Sequence, residues 1–220
     1  MNHKRRLPIA REGFPYIFFL LGMGALFYLI GLKGMSLELF TLSMGVAFFF
    51  RDPERVVFFQ EDVIISPADG KVVSIRLAEN TAFPEGEALC VSIFLSIFNV
   101  HINRAPMTGQ VVHTLYTSGQ FFPAFREKAS HLNEQNIILI KNGPLLVQVR
   151  QIAGLIARRM VCWVKEGDPL CRGDRLGLIK FGSRVDLFVP TTCRILVNRG
   201  EKVKGGKTVI ARIVPEVEKG

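Results

Sequence analysis

The sequence predicts a mainly β fold behind an N-terminal hydrophobic helical hairpin. Three observations carry this expectation. Residues 13–32 are free of charge and apolar enough for one bilayer crossing. A second apolar run, residues 37–50, follows after Lys33-Gly34. From Val56 onward, short runs rich in Val, Ile, Leu and Phe alternate with Gly and Pro, the pattern of many short strands joined by tight turns.

The two apolar runs carry basic residues on their outer sides. Lys4, Arg5, Arg6 and Arg11 precede the first, Arg51 and Arg55 follow the second, and Lys33 lies between them. The positive-inside bias places both ends in the cytoplasm. No small-x-small cleavage site follows a short apolar core, so a removed signal peptide is not expected. Glu38 shortens the uninterrupted part of the second run, which fits a short span, a re-entrant segment or an interfacial helix. A buried helical pair in a soluble protein is the alternative. The expected boundaries are 1–55 for the anchor and 56–220 for the β-rich domain.

Composition narrows the partners. The chain has 220 residues, a net charge of +9 and 49% hydrophobic residues, with a mean hydropathy of +0.28. That length supports one good core, or a core plus an anchor. A basic surface suits nucleic acid or anionic lipid. No nucleic-acid-binding motif is present, whereas a hydrophobic N-terminus is, so an anionic membrane surface is the expected partner. The four cysteines, Cys90, Cys162, Cys171 and Cys193, form no Cys-x-x-Cys pair and have no histidine at ligand spacing. Reduced core thiols are expected, with no metal site, as suits a domain facing the cytoplasm.

Strands are expected over residues 56–59, 71–77, 89–95, 110–116, 137–141, 145–151, 160–164, 185–189, 194–197 and 208–213, with one helix over 123–136. An internal repeat runs through this region. Ser66-Pro-Ala-Asp-Gly-Lys-Val-Val73 resembles Ala105-Pro-Met-Thr-Gly-Gln-Val-Val112, and Pro190-Thr-Thr-Cys-Arg-Ile-Leu196 is a looser third copy. Gly167-Asp-Pro-Leu-Cys-Arg-Gly-Asp-Arg-Leu176 matches the stretch from Gly200 to Ile210 with a shift near Gly205. These glycine-punctuated turns resemble the lipoyl/biotinyl-type repeated β-sandwich. Pro and Gly recur between copies, as architecture should. Asp69 does not, its counterpart being Thr108, which marks it as a candidate for chemistry.

The segment Leu178-Ile-Lys-Phe-Gly-Ser-Arg-Val-Asp-Leu-Phe-Val-Pro190 places Gly182-Ser183 between two β-type runs. A hydroxyl beside a glycine carbonyl is the minimum apparatus for a chain that cuts itself. Alone, such a dipeptide is a turn. Ser66-Pro-Ala-Asp-Gly-Lys71 and Phe94-Leu-Ser-Ile-Phe-Asn-Val-His101 add an Asp and a His, the other parts of an assisted nucleophile. Outside that context, Asp69-Gly70 reads as a turn pair and His101 as a satisfied core histidine. His113 and His131 read as bland surface or strand positions.

Five motifs in order, Phe50-Arg-Asp-Pro-Glu-Arg55, Ser66-Pro-Ala-Asp-Gly70, Asn99-Val-His-Ile-Asn-Arg104, Cys162-Trp-Val-Lys-Glu-Gly-Asp168 and Phe181-Gly-Ser-Arg-Val-Asp186, resemble the phosphatidylserine decarboxylase family in its short, single-domain form. The resemblance spans nearly the whole chain. It implies an inactive proenzyme that cleaves itself between Gly182 and Ser183 into chains 1–182 and 183–220, which stay associated. It implies that Ser183 becomes a covalent pyruvoyl group, the cofactor, and that this group decarboxylates phosphatidylserine through a Schiff base to the head-group amine.

On this resemblance Ser183 is the nucleophile, His101 the base and Asp69 the group that orients the imidazole. Many long-form members carry a second histidine where this chain has Arg104, which places any two-histidine mechanism in doubt. Arg104 is then a candidate for the lipid phosphate or carboxylate, or for a core ion pair. Phe121 and Phe122, beside Arg126 and Lys128, are candidates for covering acyl chains or packing under a loop. The implied location is the cytoplasmic face of a cell inner membrane; a homo-oligomer is left open. Two rivals remain: a pyruvoyl decarboxylase of another amino-acid head group, and a membrane-tethered lipoyl-like adaptor without catalysis, in which Ser183 would be dispensable.

Overall fold

The structure, a computed structural model, describes residues 8–57, 62–119, 133–154, 160–180 and 183–214. The chain divides into two compact units, Met1–Glu54 and Arg55–Gly220.

In the first unit, α1 (Phe14–Leu29) and α2 (Lys33–Phe49) pack side by side. Gly31 makes the turn between them at φ 86°, a backbone region that costs glycine little. Gly24 gives the close approach: a Cβ there would lie 3.5 Å from the Phe40 ring, and the Ser36 hydroxyl donates to its carbonyl at 2.8 Å. Most of the remaining surface of both helices is apolar and exposed, with Phe18 and Phe19 at 66% and Met44 at 75%. The span Arg11–Leu29 is long and apolar enough to cross a membrane by length and composition.

The second unit is mainly β, as the alternation predicts. An eight-stranded antiparallel sheet has the order β13-β2-β3-β11-β7-β6-β5-β9. Its strands are β2 (Gly70–Glu79), β3 (Glu87–Leu95), β5 (Gly109–Thr117), β6 (Gln135–Asn142), β7 (Leu145–Ile152), β9 (Pro169–Leu170), β11 (Ser183–Val189) and β13 (Lys202–Val203). Two three-stranded sheets complete it. One joins β1 (Val63–Ile65), β14 (Val209–Ile213) and β12 (Cys193–Ile195); the other joins β4 (Ile102–Arg104), β10 (Arg175–Ile179) and β8 (Met160–Cys162). The core lies between these sheets and takes alternate residues of the central strands, among them Val91, Ile93 and Leu95 of β3 and Val185, Leu187 and Val189 of β11.

The repeat is physical. Gly70 pairs with Val203 as Gly109 pairs with Leu170. Val72 receives the N–H of Gly200 on its carbonyl and donates to Glu201, just as Val111 does with Gly167 and Asp168. The N–H of Gly206 bonds the Ser66 carbonyl, as that of Gly173 bonds Ala105. All four of these loop glycines have positive φ, between 76° and 95°. The looser third copy lies elsewhere: Cys193 bonds back to Pro190 and starts β12.

Several expectations need correction. The expected helix over 123–136 falls largely outside the described residues, but its end is strand, since Gln135 and Asn136 open β6. Val56 and Val57 form no strand, and the rest of that run lies outside the described residues. The short strands β1, β4, β9 and β13 are not among the expected strands, and β10 is expected only as the β-type run from Leu178; so few positions give alternation little room to register. The four cysteines are free thiols, but only Cys90 and Cys193 are core, while Cys162 and Cys171 are exposed.

Candidate active site

Register brings the three sequence candidates to one end of the central sheet. Ser183, the first residue of β11, pairs with Leu95, the last of β3. On the other side of β3, Lys71 pairs with Phe94, so Gly70 and Asp69 lead into β2 at the same level. A Cβ at Gly70 would come 2.2 Å from the Phe94 carbonyl, so only glycine lets β2 begin this close. After Leu95 the chain makes a turn pinned by Asn99, whose side-chain oxygen accepts from the Ser96 N–H at 2.9 Å and the Ser96 hydroxyl at 2.8 Å. The turn delivers His101 into the ladder between β4 and β10, where the Ile179 N–H bonds its carbonyl.

Ser183 and His101 are both fully buried. Ser183 lies on the core side of β11, with Val185 and Leu187. Among the described residues its Oγ has no hydrogen-bond partner. His101 Nδ1 lies 2.9 Å from the Asn99 carbonyl. A carbonyl only accepts, so in the neutral ring Nδ1 carries the proton and Nε2 is the basic nitrogen. Gly182 lies outside the described residues, as do Phe121 and Phe122.

Asp69 is held by Arg55 and by the loop at Gly205. It takes a two-pronged ion pair from Arg55, at 2.5 and 2.8 Å, and the Gly205 N–H at 2.8 Å. Arg55 also donates to the Gly205 carbonyl. Part of this role recurs in the second copy, where Thr108 Oγ1 accepts the Arg172 N–H at 3.2 Å, as Asp69 accepts that of Gly205. The absence of an acid from the second copy therefore does not make Asp69 purely chemical. Its particular feature is the Arg55 pair.

Arg104 is 3% exposed and ties the two loops together. Its Nη1 donates to the Gly173 carbonyl at 3.1 Å, and a Cβ at Gly206 would meet its Cδ at 2.9 Å.

Sequence reasoning missed a chain of buried amides beside these groups. Asn136 Nδ2 donates to Gln151 Oε1 at 2.8 Å, and Gln151 Nε2 donates to Asn103 Oδ1 at 2.7 Å. The signal was in the motif Asn99-Val-His-Ile-Asn-Arg104, where Asn103 sits two residues from His101 and so on the same side of an extended strand.

The opposite face of β11 is also polar and closed. Arg184 pairs with Asp186 through two contacts of 2.8 Å, with both side chains almost fully buried. Arg150 stacks over the Phe188 ring at 4.8 Å, and burial lowers its pKa. Burial, followed by the nearby Asp186 charge, pushes the Cys90 thiol up to about 12.

A buried serine, a buried histidine and a carboxylate loop thus lie at one sheet end. Comparison with known proteins gives the family. Residues 43–211 match the family model of phosphatidylserine decarboxylase. Relatives named phosphatidylserine decarboxylase proenzyme include one from Carboxydothermus hydrogenoformans, 47% identical over 96% of this chain and 99% of its own. Another, from Desulfotalea psychrophila, is 42% identical over 95% and 98%. A third, from a Geobacter species, is 44% identical over 92% and 95%. With the match extending over nearly the full length on both sides, the chain belongs to the phosphatidylserine decarboxylase family, a family of decarboxylating lyases.

Proposed function

We propose that this chain is a self-processing proenzyme whose Ser183 becomes a pyruvoyl group, and that the mature protein converts phosphatidylserine to phosphatidylethanolamine and CO2. The burial of Ser183 at the same sheet end as His101 is the single observation that carries this reading. Ser183 Oγ attacks the carbonyl before it as His101 Nε2 takes the hydroxyl proton. Collapse to an ester and elimination then break the chain between Gly182 and Ser183, giving chains 1–182 and 183–220. The ladders from β11 to both β3 and β7 keep the smaller chain in place after the cut.

When formed, the pyruvoyl group supplies an electrophilic carbonyl for the substrate amine and a sink for the electrons released with CO2. The protein's part is to hold this carbonyl in a buried site and to move protons at His101 Nε2. Asp69 serves this reading by fixing the loop around the site with Arg55. Arg104 is the cation nearest His101 in sequence for the head group's phosphate or carboxylate. The apolar helix α1 and the net positive charge favour work at an anionic membrane, on the cytoplasmic face of a cell inner membrane.

The test is release of labelled CO2 from carboxyl-labelled phosphatidylserine by the full chain in mixed micelles. The reading expects release that is abolished by carbonyl reagents and by Ser183→Ala, and competition by phosphatidylserine but not by lipids with other amino-acid head groups. Release that survives Ser183→Ala would contradict it.

A further inference from the structure

We propose that Asn103 is a catalytic residue of self-cleavage, its side-chain Nδ2 donating to the oxyanion that forms when Ser183 attacks the carbonyl before it. The inference rests on the self-processing reading above and adds a group that the assisted-serine scheme does not contain.

The amide chain has a direction. Asn136 Nδ2 donates to Gln151 Oε1, so the Gln151 oxygen is engaged and its Nε2 faces onward. That Nε2 donates to Asn103 Oδ1. The oxygen of Asn103 is thereby fixed as the acceptor end, and its Nδ2 must point the other way. Asn103 and Gln151 are fully buried and Asn136 is 4% exposed. Among the described residues, Asn103 Nδ2 has no hydrogen-bond partner. A buried amide donor left idle is costly, and a fold that sets two further amides to aim it has a use for it.

The placement gives that use. Asn103 shares its strand face with His101, across Ile102. Gln151 pairs directly with Val185, which is two residues, about 7 Å, along β11 from Ser183 and on the same side. Gly177 seals the arrangement: a Cβ there would lie 2.1 Å from the Val161 carbonyl and 3.2 Å from Gln151 Nε2. Nucleophile, base and idle donor thus belong to one buried face of the site.

The step balances without an outside reagent. The Ser183 Oγ–carbon bond forms as the hydroxyl proton passes to His101 Nε2, and the carbonyl oxygen takes the negative charge. Asn103 Nδ2–H donates to that oxygen. Collapse restores the carbonyl and breaks the carbon–nitrogen bond, and the proton on Nε2 passes to the leaving nitrogen. An amide has become an ester. In such sites removal of one oxyanion donor slows reaction by about a hundredfold to a thousandfold. Asn103 is the catalytic residue here; Gln151 and Asn136 position it.

The experiment follows cleavage of freshly synthesised full-length chain across pH for the parent, His101→Ala, Asn103→Ala and Asn103→Asp. The Asp variant keeps the shape and an acceptor for Gln151 but lacks the donor. The expected result is a loss of about a hundredfold in the plateau rate for both Asn103 variants, with the pH midpoint and the thermal unfolding transition retained in at least one. Cleavage of either variant at the parent's rate would overturn the proposal. So would a loss accompanied in both variants by a displaced pH midpoint or a missing unfolding transition, which marks a structural role. Failure of the parent to cleave, or cleavage indifferent to His101→Ala, would instead remove the self-processing reading.

Discussion

A buried carboxylate needs compensation, and Asp69 receives it from the Arg55 guanidinium and the Gly205 N–H. The side chains of the pair are only 8% and 12% exposed, so breaking it leaves a charge with little water to replace its partner. Arg55→Ala, made in the Ser183→Ala background so that the chain stays whole, is expected to lose about 3 kcal/mol of stability. Urea unfolding measures this; a loss under 1 kcal/mol would show that the loop does not depend on the pair. At this scale the sequence was partly legible. Ser183, His101 and Asp69 stand out only together and in their motifs, since each alone reads as a turn or core residue. Arg55 could be quoted only as part of a motif, since no local pattern says that it reaches Asp69. The alternation that puts His101 and Asn103 on one strand face was available, but Gln151 reaches Asn103 across 48 residues of chain, which no local pattern shows.

The long elements were all legible, and of the short strands β8, β12 and β14 were legible too, in the runs 160–164, 194–197 and 208–213. β2, β3, β5, β6, β7 and β11 run seven residues or more and show the alternation or apolar run that marks a strand. The helical pair announces itself by apolar length alone. The short strand β4, which carries Asn103, had no such signal, and β10, which leads toward Ser183, showed it only from Leu178. Their pairing is set by tertiary contacts such as Gly177 against the Val161 carbonyl, where any side chain would part the strands. The repeat was the most informative element-scale pattern, because matched glycines predicted matched turns. It misled in one respect. A role can recur when the residue type does not, as the shared acceptor role of Asp69 and Thr108 demonstrates.

For the whole molecule, the two-faced central sheet matters most. One side of β11 faces the core and carries Ser183, while the other carries Arg184, Asp186 and Phe188 against Cys90, Arg150 and Phe83. Neither face is open to water at β11, where all seven residues are buried. On the proposed function, such closure would keep the pyruvoyl carbonyl from side reactions. It also links stability to alkaline pH. The buried Cys90 thiol is raised from 9.0 to about 12, and Cys193 to about 11, both chiefly by burial. Below pH 9 both states hold these protons and the stabilisation is complete. Above it the unfolded chain releases them first, so stability falls as pH rises toward 11 for Cys193 and 12 for Cys90. In the uncut Ser183→Ala chain, urea unfolding between pH 8 and 10.5 should show a shallower decline when Cys90→Ala is added. An unchanged slope would mean that Cys90 does not hold its proton in the folded state.

The central claim is that a buried serine at the head of β11 cuts the chain at its own N-terminal side. The most direct measurement is the intact mass of the purified protein beside its Ser183→Ala variant. The account predicts two chains from the parent, split after Gly182, the smaller one blocked by a pyruvoyl group, and a single full-length chain from the variant. A parent that remains one full-length chain under folding conditions, with no slow cleavage, would contradict it.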